Sequence, residues 1–555
     1  MQFNTFSNAL ALIIDDCPLV RTSTKSSLTK LGFLSDNIDV AADVKTALAL
    51  SQTRAYALII CDYNLGKGAN GYHYFDEARE IELISPDTVF IIATGDSSRP
   101  VVRKFAELAP DAYLIKPLSF AMLESRIPRL LKHKKGLTKL KIAYAEGNFT
   151  KVITGAKTLI KQAPSLMNEA SLLLAKSQEN IDQIDEAIET LNQPQLIENY
   201  FPCAKKLIEL LIKQSDYDHA KKLLKPMAEH PIHSGTAQEL LAEIALYEDD
   251  LDKAKTHIEF AKNVNPQHIH RQIKCSYINL AQFNLANACH SALAADDNAQ
   301  LVYRHDINLT RLCISLLLDQ VQFADNQACQ PNDAELKEKL RNYHYKYATN
   351  QAHPYELVAK ARIAALNKKG HEAHGLLEEY HASLYSDQYA QYHSSLIEKL
   401  DYIKCLLALG ELDSALEKTK LLKGSKEYQS QIFSFVCLAA YVDYLEQVIK
   451  RKQTATRHLT TDIKKLILDN QYLEASAKLA EHLTLLSKNE FLLNTFIQCL
   501  TCAWPPNWSK AQVIDAADFC KGNLIALDAK LDEQQATNLA LLAEQLEMPE
   551  LDFVQ

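Results

Sequence analysis

The sequence predicts a doubly wound α/β domain followed by an all-α helical solenoid, and three observations point there. Four short, continuously apolar runs stand in the first 130 residues, separated by stretches long enough for helices. After residue 137 a polar turn, an apolar residue and a small residue recur about every 34 positions. Only 14 Gly and 17 Pro occur among 555 residues, too few for a chain built mostly of short strands and turns.

The first run, Leu10–Ile14, precedes a helical stretch, Leu19–Leu31, and a weaker strand candidate, Ile38–Ala41. Ala57–Cys61 and Val89–Ala93 follow, then a helical stretch Arg99–Leu108, the run Ala112–Ile115 and a helical segment Phe120–Leu131. Runs that are apolar throughout, rather than alternating, suit strands covered on both faces. Strands alternating with helices give a parallel sheet, whose functional residues gather at the carboxyl ends of its strands.

Reading those ends gives Asp15 and Asp16, then Asp62, Thr94 and Lys116, the last followed by Pro117. Three carboxylates on one edge destabilise one another unless some protonate or a cation neutralises them. Mg²⁺ suits such a place, because it takes oxygen ligands and usually keeps waters and a phosphate oxygen.

The segments IIDDCPLVR, ALIICDYNL, FIIATG and DAYLIKP, in that order, resemble the receiver domain of bacterial two-component response regulators, the CheY-like, flavodoxin-like fold. The resemblance covers about residues 8–130 and rests on five polar positions at the strand ends. It implies that Asp62 accepts a phosphoryl group from a sensor histidine kinase. It further implies that Asp15, Asp16 and Asp62 bind Mg²⁺ with the backbone carbonyl of Asn64, and that Lys116 pairs with the phosphate. Thr94 and Tyr113 would form the switch, one bonding a phosphate oxygen and the other turning inward in concert. Asn64 and Asp96 fall where family members tune hydrolysis of the acyl phosphate, so a transient signal is expected. Beyond self-phosphorylation and self-dephosphorylation, no enzyme activity is implied. Three departures bear on kinase or partner choice: Gly66 in place of Pro, a longer loop GKGANG, and Pro110 where Gly is common.

With this in place the chain divides into a receiver at 1–131 and a basic linker at 132–137, containing KHKKG. The repeats begin at 138. EGNFTKV, QIDEA, SDYDHA, DDLDKA and QFNLANA carry apolar landmarks Phe149, Ile184, Tyr217, Leu251 and Phe283, spaced 35, 33, 34 and 32 apart. Val152, Ala187, Ala220, Ala254 and Ala286 hold the small position three residues later, and Pro164 and Pro266 stand where a helix must stop. A period near 34 with two helices per unit resembles the tetratricopeptide repeat, in which each unit leaves an apolar face for its neighbour to cover. Repeats are expected over 138–300, an irregular helical region rich in aromatics and His over 301–400, and degenerate repeats over 401–555. In the last part the landmarks are Leu412 with Ala415, Tyr472 with Ala475, and Trp508 with Ala511.

The net charge of −9 and pI of about 6.1, with no basic helix-turn-helix, speak against nucleic acid as a partner. No run of about 18 apolar residues suggests a membrane span. The start lacks a signal-peptide pattern, and twelve scattered cysteines read as free thiols in a reducing compartment. A cytoplasmic protein is expected. Cys499 and Cys502, and His371 and His374, lack the further ligands a metal site needs. Glu209 and Glu243 hint at a basic partner surface, although solvated helix faces also explain them.

The domain pair resembles response regulators with tetratricopeptide-type output, among them the VieB-type regulators, which act on a sensor kinase's phosphorelay. The expected function is phosphorylation-controlled protein binding by the solenoid, with the Thr94/Tyr113 surface touching the helices or a second protomer of a homodimer. The alternatives are a phosphate sink that drains a kinase, and a transcription regulator with an unrecognised DNA-binding lobe.

Overall fold

The computed structural model describes residues 6–66, 68–85, 87–95, 110–304, 306–323, 333–347, 353–385, 392–426, 428–430, 432–486, 488–527, 529 and 532–547. The helix expected at Arg99–Leu108 and the candidate Asp96 lie outside them. The chain forms two compact units, Met1–Cys275 with Ala294–His305, and Ser276–Leu293 with Asp306–Gln555.

The first unit opens with β1 (Ala11–Ile14), α1 (Pro18–Lys30), β2 (Ile38–Ala41), α2 (Val44–Thr53), β3 (Leu58–Asp62), α3 (Gly71–Glu80), β4 (Val89–Thr94) and β5 (Ala112–Ile115). All strand pairs are parallel, in the order β2-β1-β3-β4-β5. Alternate residues of the apolar runs feed two cores. Leu12, Ile14, Ile59, Phe90 and Ile92 pack with α2 and α3, while Ile13, Leu58, Ile60, Val89 and Ile91 pack with α1 and the closing helix Phe120–Lys135. This two-sided burial is why the runs of β1, β3 and β4 are apolar at every position, whereas β5 at the sheet edge leaves Ile115 exposed. The stretch expected as a linker at 132–137 is helical as far as Lys135, because nothing before Gly136 stops the helix.

The remainder is helical, as expected. Its hairpins share one closing device. A residue with positive φ ends the first helix at Gly147, Asp182, Ser215, Asp249 and Phe283. The next amide then reaches back five residues: Asn148 to Ala143, Gln183 to Gln178, Asp216 to Leu211, Asp250 to Ala245 and Asn284 to Asn279. That bond closes a Schellman-type helix end. The same closure recurs at Lys369, Glu411 and Gln471. Val152, Ala187, Ala220, Ala254, Ala415 and Ala475 are all fully buried, so the small residue does let paired helices approach closely.

Two landmarks fall in a different register. Phe283 is the left-handed turn residue and the second helix begins at Leu285, with Ala288 buried and Ala286 exposed. The spacing from Leu251 is therefore 34 rather than 32. Trp508 likewise precedes a helix capped by Ser509, in which Val513 is buried and Ala511 exposed. The region expected as irregular between 301 and 400 holds ordinary helices at Ile307–Phe323, Asp333–Tyr347, Pro354–Leu366 and Gly370–Leu384. Of its aromatic stretch, Tyr343 and Tyr355 are core residues while Tyr345 is exposed. Glu209 and Glu243 are paired within the chain, to Lys205 and Lys206 and to Lys274. No helix among the described residues is long and apolar enough to cross a membrane.

Candidate functional site

Strand order reverses between β1 and β3, so the chain leaves these two strands in opposite directions and opens a crevice at their carboxyl ends. Asp15, just beyond β1, and Asp62, the last residue of β3, project there, and Asp16 joins them from the loop. Carboxylate oxygens of the three lie within 4.8 Å of one another, the one group of metal-ligating type found among the described residues. Asp15 and Asp62 are buried and Asp16 is exposed. Lys116, one residue past β5, reaches across with its Nζ 2.6 Å from Asp15 Oδ2 and 2.7 Å from Asp62 Oδ2.

Burial pushes the Asp62 carboxyl up, partly opposed by the bond and charge of Lys116, with Asp15 adding to the rise. Lys116 loses hydration too, yet its two carboxylate partners outweigh that loss and hold its proton more firmly than usual. The two directions agree on one physical point: the crevice carries more negative charge than one ammonium offsets, and a divalent cation would complete the balance. The donors are all hard oxygens, which fits Mg²⁺, and Asp15, Asp16 and Asp62 would hold it. The Asn64 amide donates to the Asp62 carboxylate.

Thr94 ends β4 fully buried, and its carbonyl accepts from the Lys116 amide at 2.8 Å. Tyr113 on β5 is half-buried against the core on the α2/α3 side of the sheet. The structure thus brings Asp15, Asp16, Asp62, Thr94 and Lys116 to one edge.

Sequence reasoning missed what locks this edge to α3. Asn70 caps α3, accepting from the amides of Tyr72 and His73, while His73 Nδ1 accepts from the Asn70 amide. The Gly71 amide donates to the Tyr63 carbonyl at 2.8 Å. A Cβ on Gly71 would lie 2.1 Å from the Asp62 carbonyl oxygen and 3.0 Å from Cys61 Sγ. The Asn-Gly pair looks like any turn in the sequence, and only the close approach of two backbones explains it. Gly71→Ala is expected to cost about 1–3 kcal/mol, as overpacking does, read as a lower urea midpoint for the first unit.

Residues 11–128 match the family described as the response regulator receiver domain. The chain is similar to the transcriptional activator protein IrlR of Burkholderia pseudomallei, 31% identical over 142 residues, which is 25% of this chain and 58% of that protein. It is also similar to the chemotaxis protein CheY-3 of Vibrio cholerae, 26% identical over 125 residues, 22% of this chain and 93% of that one. Among solved structures, a CheY-like receiver domain protein from Methanospirillum hungatei aligns at 24% identity and TM-score 0.21, covering 23% of this chain and 96% of that one. The chain thus spans little more than half the length of IrlR. Receiver domains bind Mg²⁺ at an acidic cluster of the kind that Asp15, Asp16 and Asp62 form here. From the sheet order, the crevice chemistry and the family match together, residues 11–128 form a response regulator receiver domain.

Proposed function

We propose that Asp62 is the phosphoacceptor of a two-component phosphorelay, and that its phosphorylation controls protein binding by the helical region, which we read as tetratricopeptide-like. The carrying observation is the Lys116 bridge between Asp15 and Asp62 beside a buried Thr94. An Asp62 carboxylate oxygen attacks the phosphorus of a phosphohistidine on a sensor kinase. The P–N bond breaks, and the imidazole nitrogen keeps the electron pair and takes a proton. Bound Mg²⁺ would offset the charge of the transferred group. Lys116 turns from its carboxylate partners to the new phosphate oxygens, and the Thr94 hydroxyl donates to another, a bond of about 1.5–3 kcal/mol. By population-shift arithmetic that changes a two-state ratio about ten- to a hundredfold. Tyr113 follows Thr94 as the second part of the switch, and Asn64 with Asp96 tunes hydrolysis.

The recurring hairpin closures at a period near 34 support a repeat architecture, whose extended faces bind proteins. We place that output on a protein partner such as the sensor kinase, in a cytoplasmic setting consistent with the buried free thiols. Incubating the full chain with acetyl phosphate and Mg²⁺ should add one phosphoryl group at Asp62, found by peptide mass analysis. Chelating the metal with EDTA should reduce labelling to background. Modification at another side chain, or labelling indifferent to EDTA, would overturn the reading.

A further inference from the structure

The first compact unit contains the receiver together with helices to Cys275 and the segment Ala294–His305. Within it, α3 is gripped by residues remote in sequence. Asn265 Nδ2 donates to the Tyr72 hydroxyl at 3.0 Å, and both residues are fully buried. Arg304 Nε donates to Glu77 Oε2 at 2.6 Å, an ion pair with the carboxylate side only 4% exposed. His270 reaches Glu80 at 3.2 Å on the rim, where the pair contributes little. Lys45 of α2 lies 5.6 Å over the ring of Tyr303. At the other end Lys141, on the helix Thr138–Ala145, approaches Asp87 at 3.6 Å. His270 and Lys141 belong to the first helices of their hairpins, and Asn265 to the turn entering one. The receiver therefore covers part of the face that the first helices present. Burial pushes the carboxyls of Asp76 and Glu77 up even though Arg304 is beside them, so water is largely excluded there.

This grip lies one rigid step from Asp62. Gly71 begins α3 in direct backbone contact with the Asp62 carbonyl, without room for a methyl group. The loop from Tyr63 to Asn70 is tied at its end by the Gly71 amide and by the Asn70 cap. A phosphoryl group with its cation must be housed against that loop, and a packed joint passes displacement on rather than absorbing it. Buried hydrogen bonds at 2.6 and 3.0 Å tolerate little displacement before they weaken.

We propose that Tyr72 and Glu77 of α3, with Asn265 and Arg304, form a latch that holds the receiver over the first-helix face of the repeats, and that phosphorylation of Asp62 opens it. The occupant of that face is thus this chain's own receiver, and the output partner binds where the receiver has been. The proposal rests on Asp62 as the phosphoacceptor. Linkage makes it testable without knowing the partner: if the phosphorylated state disfavours the latch, breaking the latch must favour that state by the same factor.

The test measures beryllofluoride affinity in the presence of Mg²⁺, by fluorine NMR on the full chain, for the native protein, Arg304→Ala and Tyr72→Phe. Arg304→Ala should bind tighter by about fivefold or more, and Tyr72→Phe, which removes only a hydroxyl, should move the same way by less. In the native chain, beryllofluoride should speed amide exchange across 71–80 and 265–275. Equal affinities in all three proteins, or unchanged exchange on binding, would overturn the latch. A native chain that takes up no beryllofluoride would instead overturn the reading of Asp62, and the phosphorylation-driven latch with it.

Discussion

Asp62→Asn is expected to reduce phosphoryl uptake from acetyl phosphate to background while leaving the receiver folded. The Asp62 carboxylate is buried beside Lys116 at the end of its strand, whereas Asp15 Oδ1 already accepts from the Cys17 amide at 2.9 Å and Asp16 is exposed. An amide of the same shape keeps the oxygen that meets Lys116 but loses the nucleophile. Stability should move the other way. Burial and Asp15 both penalise the ionised form of Asp62, so a neutral side chain removes like-charge repulsion. The variant should melt at or above the native temperature. Mass analysis after acetyl phosphate treatment, paired with a thermal melt, checks both halves. A variant that labels like the native chain refutes the site, and one that unfolds shows the carboxylate to be structural. The same variant separates output from draining, since a phosphate sink needs the acyl phosphate whereas a docking protein does not.

The sheet and its edge were legible because each apolar run ends in a polar residue that has no packing reason to be there. Asp15, Asp62, Thr94 and Lys116 announce themselves by breaking the pattern. The repeat register was legible in part. In QFNLANA both Phe283 with Ala286 and Leu285 with Ala288 satisfy the rule of apolar then small three later. A Phe with φ of 57° is uncommon, so the turn hid behind a good core residue. The signal that separates the two is the cap. Asn148, Asp216 and Asp250 stand directly before Phe149, Tyr217 and Leu251 and accept amide bonds, and Asn284 does the same before Leu285. The contacts of α3 were illegible, since Tyr72 and Asn265 are 193 residues apart and Glu77 and Arg304 are 227 apart. Each of the four looks ordinary in its own helix or turn, and only the fold brings them together.

Asp401→Ala should destabilise the second unit by about 3–5 kcal/mol, because it strands buried charge. Asp319, Arg362, Asp401 and Lys404 are all between 0 and 1% exposed, on the helices Ile307–Phe323, Pro354–Leu366 and Leu396–Ala408. Two carboxylates meet two cations, so the group is neutral. Arg362 donates to Asp319 at 2.5 Å and to Asp401 at 2.9 Å, and Lys404 lies 2.8 Å from each. Tyr441 from the helix Phe433–Leu468 and Tyr355 close the remaining carboxylate oxygens at 2.7 and 3.0 Å, and Ser315 completes the set at 2.6 Å from Asp401. Removing Asp401 leaves Ser315 without its acceptor and Tyr355 with only the Arg311 carbonyl, and it leaves a net positive charge in the core. Desolvation alone would push Asp319 up, but Lys404 and Arg362 overcome it and hold its carboxyl below the ordinary 3.8. A depressed carboxylate contributes stability that is complete above that value and lost as pH falls through the folded one. Trp504 and Trp508, the chain's two tryptophans, both lie in this unit, so their fluorescence in a urea titration reads its unfolding alone. Replacing all four charged residues with apolar side chains of similar volume should cost far less than the single change. A midpoint for Asp401→Ala equal to that of the native chain would show that these charges do not hold the helices together.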